Sequence, residues 1–297
     1  MITRFAPSPT GYLHLGHVVN AIYVWGLARA RGGRVLLRIE DHDRVRCRPE
    51  FEAALLDDLD WLGFVPDEGR DPLIRQSDRT DVYDDALHRL RAAHHVYVCT
   101  CSRKEIDRRA QGFRVRAERV GGPAGGHVGG GRYDGRCRGR RLEEGPGRGL
   151  RLEIPDVPER FTDLRLGPLE QTPAHQCGDV LLRDRDGHWT YQFAATVDDC
   201  RQGVTLVIRG EDLLSSTGRQ ITMARMLGRE APPAFFHHPL ILKASGKKLS
   251  KAAGDTGVRE LRAHGVSAPE VIGRAAAAVG LIDRARPIAA AEVVSLF

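Results

Sequence analysis

The chain lacks the segments that anchor a protein in a membrane or direct it out of the cell. None of its apolar runs approaches the roughly 20 residues that a membrane-spanning helix needs. The first residues also lack the apolar core of a signal peptide. We therefore expect a cytoplasmic protein without a membrane partner.

A disulfide framework is also missing. Six cysteines are unevenly spaced along 297 residues, whereas secreted disulfide scaffolds are short and dense in cysteine. Apolar residues make up 41% of the chain and charged residues 28%, which is typical of a soluble globular protein with an ample core. The net charge of +6 indicates a polyanionic partner only weakly, because the arginine content behind it could equally reflect genome composition.

Two histidines stand at the start of a predicted helix. Two prolines and a glycine precede His14 and His17, and apolar residues at helical spacing follow until Gly32. The spacing predicts that both imidazoles face the same way in the first turn, where unpaired backbone N–H groups attract anions. Gly16 leaves room for a flat ring against the backbone. The stretch fits a nucleotide triphosphate site, and it also fits a proline-rich loop with two incidental histidines.

Charged residues stand at the ends of predicted strands. An apolar run at residues 34–39 indicates a buried strand that ends at Glu40, and the order strand, helix, strand predicts a βαβ unit. The ligand crevice of such a unit lies beyond the carboxyl ends of its strands. Arg4 and Glu40 lie at two of these ends and would suit a small zwitterion; a structural Arg–Glu ion pair is the alternative. The strand at residues 205–209 also ends in an arginine, Arg209.

Periodicity and turn composition predict most of the remaining elements. Helices are expected at residues 51–64, 81–94 and 217–227, strands at 96–101, 150–154 and 178–183, a hairpin-type turn at 184–187 leading into residues 189–193, and a mostly helical region at 258–297. In contrast, residues 109–149 are rich in glycine and arginine and have no hydrophobic period.

Three cysteines flank this irregular stretch. Cys99 and Cys101 form a Cys-x-Cys in a predicted strand, and Cys137 follows later. Three thiols in a cytosolic protein suggest tetrahedral zinc with a fourth oxygen, nitrogen or water ligand. Tyr133, His127 or a water molecule could fill the fourth position. The alternative is that the cysteines are ordinary strand and loop residues, because a lone Cys-x-Cys is a weak pattern.

A basic loop is predicted at residues 243–251, with the sequence Lys-Ala-Ser-Gly-Lys-Lys-Leu-Ser-Lys. Glycine and serine make such a loop mobile, and Lys248 and Lys251 could close over phosphates as point charges. A solvated basic loop is the alternative.

Together these motifs resemble the class I aminoacyl-tRNA synthetases. Pro-Ser-Pro-Thr-Gly-x-Leu-His-Leu-Gly-His at residues 7–17 and Lys-Leu-Ser-Lys at 248–251 are similar to the two signatures of that class. Arg-Gly-Glu-Asp-Leu-Leu at 209–214, followed by Ser-Thr-x-Arg-Gln, resembles the glutamyl branch. The resemblance runs from Thr3 to about Lys251, in the expected order, and its combination of motifs is very specific.

The resemblance implies an α/β fold, in which a Rossmann-type parallel sheet forms the catalytic domain and carries an inserted zinc-bearing subdomain and a short helical C-terminal region. The implied division is residues 1–95 for the first half of the nucleotide-binding domain, 96–175 for the inserted zinc-binding and acceptor subdomain, 176–255 for the second half with the lysine loop, and 256–297 for a helical cap.

The resemblance also implies roles for individual residues. The glutamate pocket would be lined by Arg4, Phe5, Ala6, Pro7 and Ser8, with Glu40 on the substrate ammonium and Tyr191 and Arg209 on its acidic side chain. ATP would be bound by His14, Gly16, His17 and Lys251, with Mg²⁺ as its counterion. His14, His17, Lys248 and Lys251 would act in catalysis by stabilising charge on the phosphates. One structural zinc ion would be held by Cys99, Cys101, Tyr133 and Cys137.

The region after the second signature bears on the tRNA acceptor. A glutamyl-tRNA synthetase continues into a large anticodon-binding region, whereas this chain stops. It therefore resembles a truncated paralogue that activates glutamate without tRNA and transfers it to the queuosine base in the anticodon of tRNA(Asp). The implied partners are L-glutamate, ATP and queuosine-bearing tRNA(Asp), and a monomer is expected. The alternatives are a minimal glutamyl-tRNA synthetase that charges a tRNA 3′ end and a non-catalytic paralogue that binds tRNA.

The spacing of the cysteines departs from the resemblance. Thirty-one residues separate Cys101 from Tyr133, a longer and more glycine-rich stretch than the paralogue leads us to expect. His127 and a water molecule therefore remain alternatives to Tyr133 as the fourth ligand.

Overall fold

The first three elements form a βαβ unit, as the sequence predicts. In the computed structural model, which describes residues 1–118, 131–241 and 257–297 and only the backbone of 111–118, they are β1 (Ile2–Phe5), α1 (Leu15–Ala30) and β2 (Arg34–Leu37). Strands β1 and β2 are parallel, with Arg4 opposite Leu36. The two predicted strand-end charges, on Arg4 and Glu40, are therefore at the same edge of the sheet.

The remaining elements follow in chain order. They are α2 (Pro49–Leu62), a 3-10 helix (Gln76–Asp78), α3 (Thr80–Ala93), β3 (Val96–Cys99), α4 (Arg103–Glu118), β4 (Gly149–Leu152), β5 (Glu159–Asp163), β6 (Gly167–Gln171), α5 (Pro173–Gln176), β7 (Val180–Arg183), α6 (Tyr191–Arg201), β8 (Leu206–Gly210), a 3-10 helix (Glu211–Ser216), α7 (Thr217–Met226), β9 (Ala234–His238), α8 (Val258–Ala263), α9 (Ala268–Ala278) and a 3-10 helix (Ala290–Leu296). None of the helices in the described ranges is both long and apolar enough to cross a membrane.

Strand β8 brings the second half of the chain to the first. It belongs to a four-stranded sheet of order β6-β5-β9-β8, in which β8 and β9 are parallel and Arg209 is opposite His237. The start of β8 is tied to β1, because the backbone N–H of Thr205 donates to the carbonyl oxygen of Ile2 at 2.9 Å. The carboxyl ends of β1, β2 and β8 therefore meet, which is the usual place for a ligand in an α/β fold.

A separate antiparallel sheet of order β3-β4-β7 is formed by the middle of the chain. Its apolar face packs on α3 and α6 through a cluster that includes Leu87, Val98, Leu150 and Phe193. β7 lies beyond residue 175, the predicted end of the inserted subdomain, and yet it pairs with β4. The four predicted domain ranges stay a prediction.

Helix α1 is the centre of the main core. Most of its residues are buried, between the βαβ strands on one side and the C-terminal helices on the other. At Gly26 the helix has no room for a side chain, because an added Cβ would lie 2.2 Å from the ring of Phe297. Burial of each Val, Leu or Ile in such a core contributes about 1.5–3 kcal/mol. The N-terminus of α1 is thus held in a fixed position at the edge of the sheet.

The residues after the predicted turn at 184–187 begin a helix. Trp189 forms an isolated antiparallel bridge with Arg183 across the turn, and α6 begins at Tyr191. The aromatic and β-branched composition favours a strand locally. The tertiary structure overrides this preference, because Phe193 is buried between α3 and the sheet β3-β4-β7, where a helix provides the matching face. The sequence pattern also missed β5, β6 and β9, and α4 extends into the stretch from residue 109 that had no predicted period.

Candidate active site

A cavity of about 510 Å³ lies where β1, β2 and β8 end. Its walls include nine of the residues expected to bind glutamate or ATP: Arg4, Ala6, Ser8, His14, Gly16, His17, Glu40, Tyr191 and Arg209. These residues come from positions up to 205 apart in the chain, and the meeting of the three strand ends brings them together. The volume is within the range of small-molecule sites in proteins.

Two of the expected residues that the structure describes, Phe5 and Pro7, do not line this cavity. Phe5 is 1% exposed and packs on Trp25 with ring centroids 5.2 Å apart, so its side chain belongs to the core rather than to the cavity. Lys248 and Lys251 lie outside the described residues, as does His127.

The two histidines cap helix α1. His14 is the N-cap residue, and its Nδ1 accepts a hydrogen bond from the backbone N–H of Gly16 at 3.0 Å. Nδ1 of His17 accepts from the backbone N–H of His14 at 3.1 Å, which completes a capping box. Because both Nδ1 atoms accept, a neutral ring must carry its proton on Nε2. Each histidine thus has an N–H donor on the ring edge opposite the helix backbone.

Buried charges surround Arg4 and Glu40, but the two do not pair with each other. Arg4 Nε donates to Asp199 at 3.1 Å and Arg4 Nη1 to the carbonyl oxygen of Ile208 at 3.2 Å. Glu40 accepts from Arg38 Nη2 at 2.9 Å, and Arg38 Nη1 reaches Asp199 at 2.8 Å. Burial alone would raise the pKa of the Asp199 carboxyl, but Arg4 and Arg38 hold it below its usual value. The site therefore presents a fixed cation and a fixed anion side by side.

Arg38 anchors this cluster. Its side chain is fully buried, and besides Glu40 and Asp199 its Nε lies 3.7 Å from Asp198. Burial lowers the pKa of Arg38, but the three carboxylates overcome that effect and raise it. Removing one partner of such a buried network is costly, because it leaves an uncompensated charge in the interior.

Among the described residues, the hydrogen-bond partners of the Arg209 side chain are neutral groups. Its guanidinium donates to Nε2 of His237 at 3.1 Å, to Oε1 of Gln220 at 2.6 Å and to Oγ1 of Thr217 at 2.9 Å. No carboxylate of the described residues forms an ion pair with it, although its side chain is 4% exposed. Burial lowers the pKa of Arg209. The positive charge of Arg209 is therefore oriented but not neutralised, as a site for a ligand carboxylate requires.

A buried aspartate–histidine pair supports Arg209. Nδ1 of His237 lies 2.7 Å from Oδ2 of Asp163, and that oxygen also accepts from the backbone N–H of His237. Burial and the neighbouring Arg209 lower the pKa of His237 to about 4. A neutral His237 with its proton on Nδ1 donates to Asp163 and accepts from Arg209 through Nε2. His237 therefore orients the guanidinium of Arg209 without neutralising its charge.

Tyr191 completes the wall opposite the strands. It is the first residue of α6, and its ring lies 6.0 Å from that of His42 between centroids. Burial raises the pKa of its hydroxyl, and Glu40 adds to the shift. Tyr191 therefore acts as a neutral hydroxyl at neutral pH.

The three cysteines flanking the irregular stretch lie together. The sulfurs of Cys99, Cys101 and Cys137 are within 4.8 Å of one another, next to the hydroxyl of Tyr133. Arg109 donates to Cys101 and Arg151 to Cys99, each at 3.4 Å. The cluster lies beside the carboxyl end of β3, where Cys99 is the last strand residue, and its residues do not line the large cavity.

Comparisons with known proteins agree with this geometry. The profile of the family "tRNA synthetases class I (E and Q), catalytic domain" matches residues 1–280. The glutamyl-Q tRNA(Asp) synthetase of Symbiobacterium thermophilum is 41% identical over 99% of this chain and 91% of its own length. That of Rhodobacter capsulatus is 42% identical over 91% of this chain and 98% of its own length. The chain belongs to the glutamyl-Q tRNA(Asp) synthetase family.

The fold of this chain is similar to that of a longer enzyme of known structure. The glutamate-tRNA synthetase of Elizabethkingia anophelis superposes with a TM-score of 0.75 at 28% identity. The match covers 100% of this chain but 65% of that one. The expected α/β catalytic domain with parallel strands is thus confirmed at the level of the class I fold.

The cysteine cluster fits a zinc ion by its dimensions. Tetrahedral bonds of about 2.3 Å to sulfur and about 2.0 Å to oxygen place two sulfurs roughly 3.8 Å apart and a sulfur and an oxygen roughly 3.5 Å apart. The sulfurs of Cys101 and Cys137 are 3.8 Å apart, and Cys99 Sγ is 3.5 Å from the Tyr133 hydroxyl. Burial alone would raise the pKa of the Cys137 thiol, but hydrogen bonds from Thr100 and Tyr133 lower it to about 7. The three-thiol donor set and these two distances are compatible with a zinc ion, and the other two sulfur pairs lie within 4.8 Å.

The residues that hold the site residues in place were not predicted from the sequence. These are Arg38, Asp163, Asp198, Asp199, Gln220 and His237. Arg38 is inside the predicted strand at residues 34–39, and the apolar pattern of that strand does not indicate a partner for its charge. Two of its three carboxylate partners, Asp198 and Asp199, are 160 and 161 positions away in α6. One signal could have found Asp198 and Asp199, because two adjacent acids that follow an apolar helical face need buried partners.

Proposed function

We propose that the chain activates L-glutamate with ATP to glutamyl-adenylate and then transfers the glutamyl group to the queuosine base in the anticodon of tRNA(Asp). The observation that carries the proposal is the buried and unneutralised Arg209 in the cavity that also presents Glu40 and the capped start of α1. The names of the relatives in Symbiobacterium and Rhodobacter support the acceptor.

Glutamate recognition follows from the charges. The side-chain carboxylate of glutamate pairs with Arg209 and accepts from the Tyr191 hydroxyl, while Glu40 takes the ammonium group. Glutamine offers an amide in place of the carboxylate, so Arg209 would stay a buried cation without a counterion. The pocket rejects glutamine mainly through this penalty.

Activation needs charge stabilisation rather than a protein nucleophile. An oxygen of the substrate α-carboxylate attacks the α-phosphorus of ATP, the bond to the bridging oxygen breaks, and pyrophosphate leaves with its electron pair. The Nε2–H donors of His14 and His17 and the N-terminus of α1 stabilise the phosphate charge in place. By resemblance, Lys248 and Lys251 add positive charge on the pyrophosphate side, and Mg²⁺ accompanies ATP.

Transfer forms the product ester. A hydroxyl of the queuosine cyclopentene diol attacks the carbonyl carbon of glutamyl-adenylate, AMP leaves, and the hydroxyl proton is released. The chemistry needs no metal-bound nucleophile. We therefore assign zinc a structural role, in which Cys99, Cys101, Cys137 and Tyr133 tie the end of β3 to the segment after the irregular stretch.

We also propose the predicted division into domains at residues 95, 175 and 255, with a monomer in the cytoplasm as the working state. The insertion at 96–175 supplies the sheet β3-β4 and the cysteine cluster. Gel filtration against standards tests the monomer, with a mass of 32.8 kDa as the expectation.

The acceptor is tested by comparing tRNA(Asp) with and without queuosine. We expect glutamate-dependent ATP–pyrophosphate exchange without tRNA, and stable attachment of labelled glutamate only to queuosine-bearing tRNA(Asp). Attachment that ignores queuosine would identify a 3′-end charging enzyme instead. No exchange at all would identify a non-catalytic paralogue.

A further inference from the structure

A second cavity, of about 170 Å³, lies between the sheet β3-β4-β7 and the first turns of α6 and α7. One wall comes from Tyr133 and Arg151 of the region at 96–175 and from Asp179, which precedes β7. The other comes from the first residues of α6 and α7, through Gln192 and Arg219. Gln192 follows Tyr191, and Arg219 precedes the Gln220 that holds Arg209. The cavity therefore adjoins the glutamate site from the side of the inserted subdomain.

Two nitrogen atoms of the Arg219 guanidinium have no hydrogen-bond partner among the described residues. Both atoms, Nε and Nη2, are buried. A buried donor without a partner costs about 1–3 kcal/mol, and more when it is charged. The fold keeps this arginine on the cavity wall at that cost, which is expected where an anionic group binds.

The other charges of the cavity are already matched. Asp179 is held by Arg138 through two hydrogen bonds of 3.0 and 2.8 Å, and it also accepts from the hydroxyl of Tyr97. Arg151 donates to the sulfur of Cys99 and to the carbonyl oxygen of Asp179, and it stacks 3.8 Å above the ring of Tyr133. Asp179 therefore does not neutralise Arg219, and the cavity has a net positive character.

The side chain of Gln192 indicates which second group the ligand carries beside its anionic oxygen. Its Nε2 donates to Ser216 Oγ at 2.9 Å, while its buried Oε1 has no partner in the described part of the chain. A ligand that offers an anionic oxygen to Arg219 and a hydroxyl or N–H donor to Gln192 would match both side chains. A phosphate with the neighbouring ribose 2′-hydroxyl of RNA has this chemistry, and the hydroxyl distinguishes RNA from DNA.

We propose that the second cavity is a subsite for one phosphate of an RNA backbone, bound by Arg219, that aligns the acceptor RNA with the glutamate pocket. The proposal rests on the proposed function for its ligand, since tRNA is the acceptor there. The phosphates of ATP have their own donors at His14 and His17, which do not line this cavity. Free pyrophosphate is the other source of the same phosphate chemistry, and the experiment separates the two.

The test is a titration of tRNA(Asp), with and without queuosine, into the purified full chain at several KCl concentrations. For Arg219→Gln we expect roughly tenfold weaker binding of both RNAs, because one charge-assisted contact is lost. The slope of log affinity against log salt should fall by about 1. Arg219→Lys keeps the charge but not the fork, so it should keep the slope and lose less affinity.

The matched control is Arg284→Gln, which removes the same charge from an exposed residue that does not line the cavity. We expect its RNA affinity to equal that of the wild type. Glutamate-dependent ATP–pyrophosphate exchange, measured for every variant, shows that the activation site is folded.

Two results would overturn the subsite. One is RNA binding by Arg219→Gln that equals binding by Arg284→Gln. The other is an increased KM for pyrophosphate in the exchange reaction with unchanged RNA affinity, which would assign the phosphate to pyrophosphate. The proposed acceptor is tested independently of the subsite. Glutamate attachment that does not depend on queuosine would reject queuosine as the acceptor, whereas an Arg219-dependent affinity for both RNAs would still support the subsite.

Discussion

Asp58 gives the most quantitative prediction about this chain. It lies in α2 with 0% of its surface exposed, and neither carboxylate oxygen has a hydrogen-bond partner among the described residues. Burial raises its pKa from 3.8 to about 6, and neighbouring Asp57 adds to the shift. The substitution Asp58→Asn keeps the shape and removes the charge. We expect it to stabilise the fold.

The magnitude follows from the shift in pKa. Each unit corresponds to 1.36 kcal/mol, so ionised Asp58 destabilises the fold by about 3 kcal/mol at pH 8. Because the pKa is higher in the folded chain, the penalty shrinks as the pH falls through 6 and disappears below 3.8. At pH 5 about half of it remains. The advantage of Asp58→Asn over the wild type should therefore fall from about 3 kcal/mol at pH 8 to about 1.5 kcal/mol at pH 5.

Urea unfolding followed by tryptophan fluorescence at pH 8 and pH 5 measures this difference. The matched control is Asp57→Asn, one position away, whose carboxylate is 67% exposed and pairs with Arg262 at 2.7 Å. Exposed pairs contribute about 0–1 kcal/mol, and removing the Asp57 charge also relieves Asp58 slightly, so this variant should stay within about 1 kcal/mol of the wild type at both pH values. An Asp58→Asn variant that is no more stable than the wild type at pH 8 would refute the reasoning. Equal stabilisation at both pH values would contradict the assigned ionisation.

Three further predictions concern the site. His237→Ala should raise the KM for glutamate roughly tenfold or more, with a smaller change in kcat, because Arg209 loses an orienting partner; exchange kinetics measure this split, and an effect on kcat alone would argue against a positioning role. Arg209→Gln should chiefly weaken glutamate binding and reduce discrimination against glutamine, whereas Lys251→Ala should chiefly lower the activation rate; equal effects on KM would contradict these roles. Cys137→Ser should reduce bound zinc from one ion per chain, measured by elemental analysis, and lower the melting temperature. Tyr133→Phe should weaken zinc retention against a chelator if the hydroxyl is the fourth ligand. Unchanged retention would exclude the Tyr133 hydroxyl as a ligand.

The sequence was most informative where position along a strand determines position in the fold. Arg4, Glu40 and Arg209 were expected at a common edge because parallel strands end together, and the structure brings them into one cavity. The start of α1 was predicted for a similar reason, since local spacing and helix termini depend on nearby residues. These parts of the site needed no knowledge of distant contacts.

The remaining parts depend on distant contacts, which local patterns do not contain. Arg38 and Asp199 are 161 positions apart, and His237 meets Asp163 across 74. Tyr191 was placed among the glutamate ligands by resemblance, but the sequence pattern did not predict the helix that begins there and buries Phe193 in the core. Ion pairs between buried groups also have no periodic signature.

The histidine capping box has a consequence for how relatives of this chain are interpreted. His14 and His17 satisfy backbone N–H groups of α1, and losing an N-cap costs about 1 kcal/mol. A paralogue that had lost catalysis would therefore still be selected to keep both histidines for folding. Arg209 is different, because a buried, unneutralised cation lowers stability and is useful only when a carboxylate binds it. Among such paralogues, the persistence of Arg209 is the better marker of an enzyme that still uses glutamate.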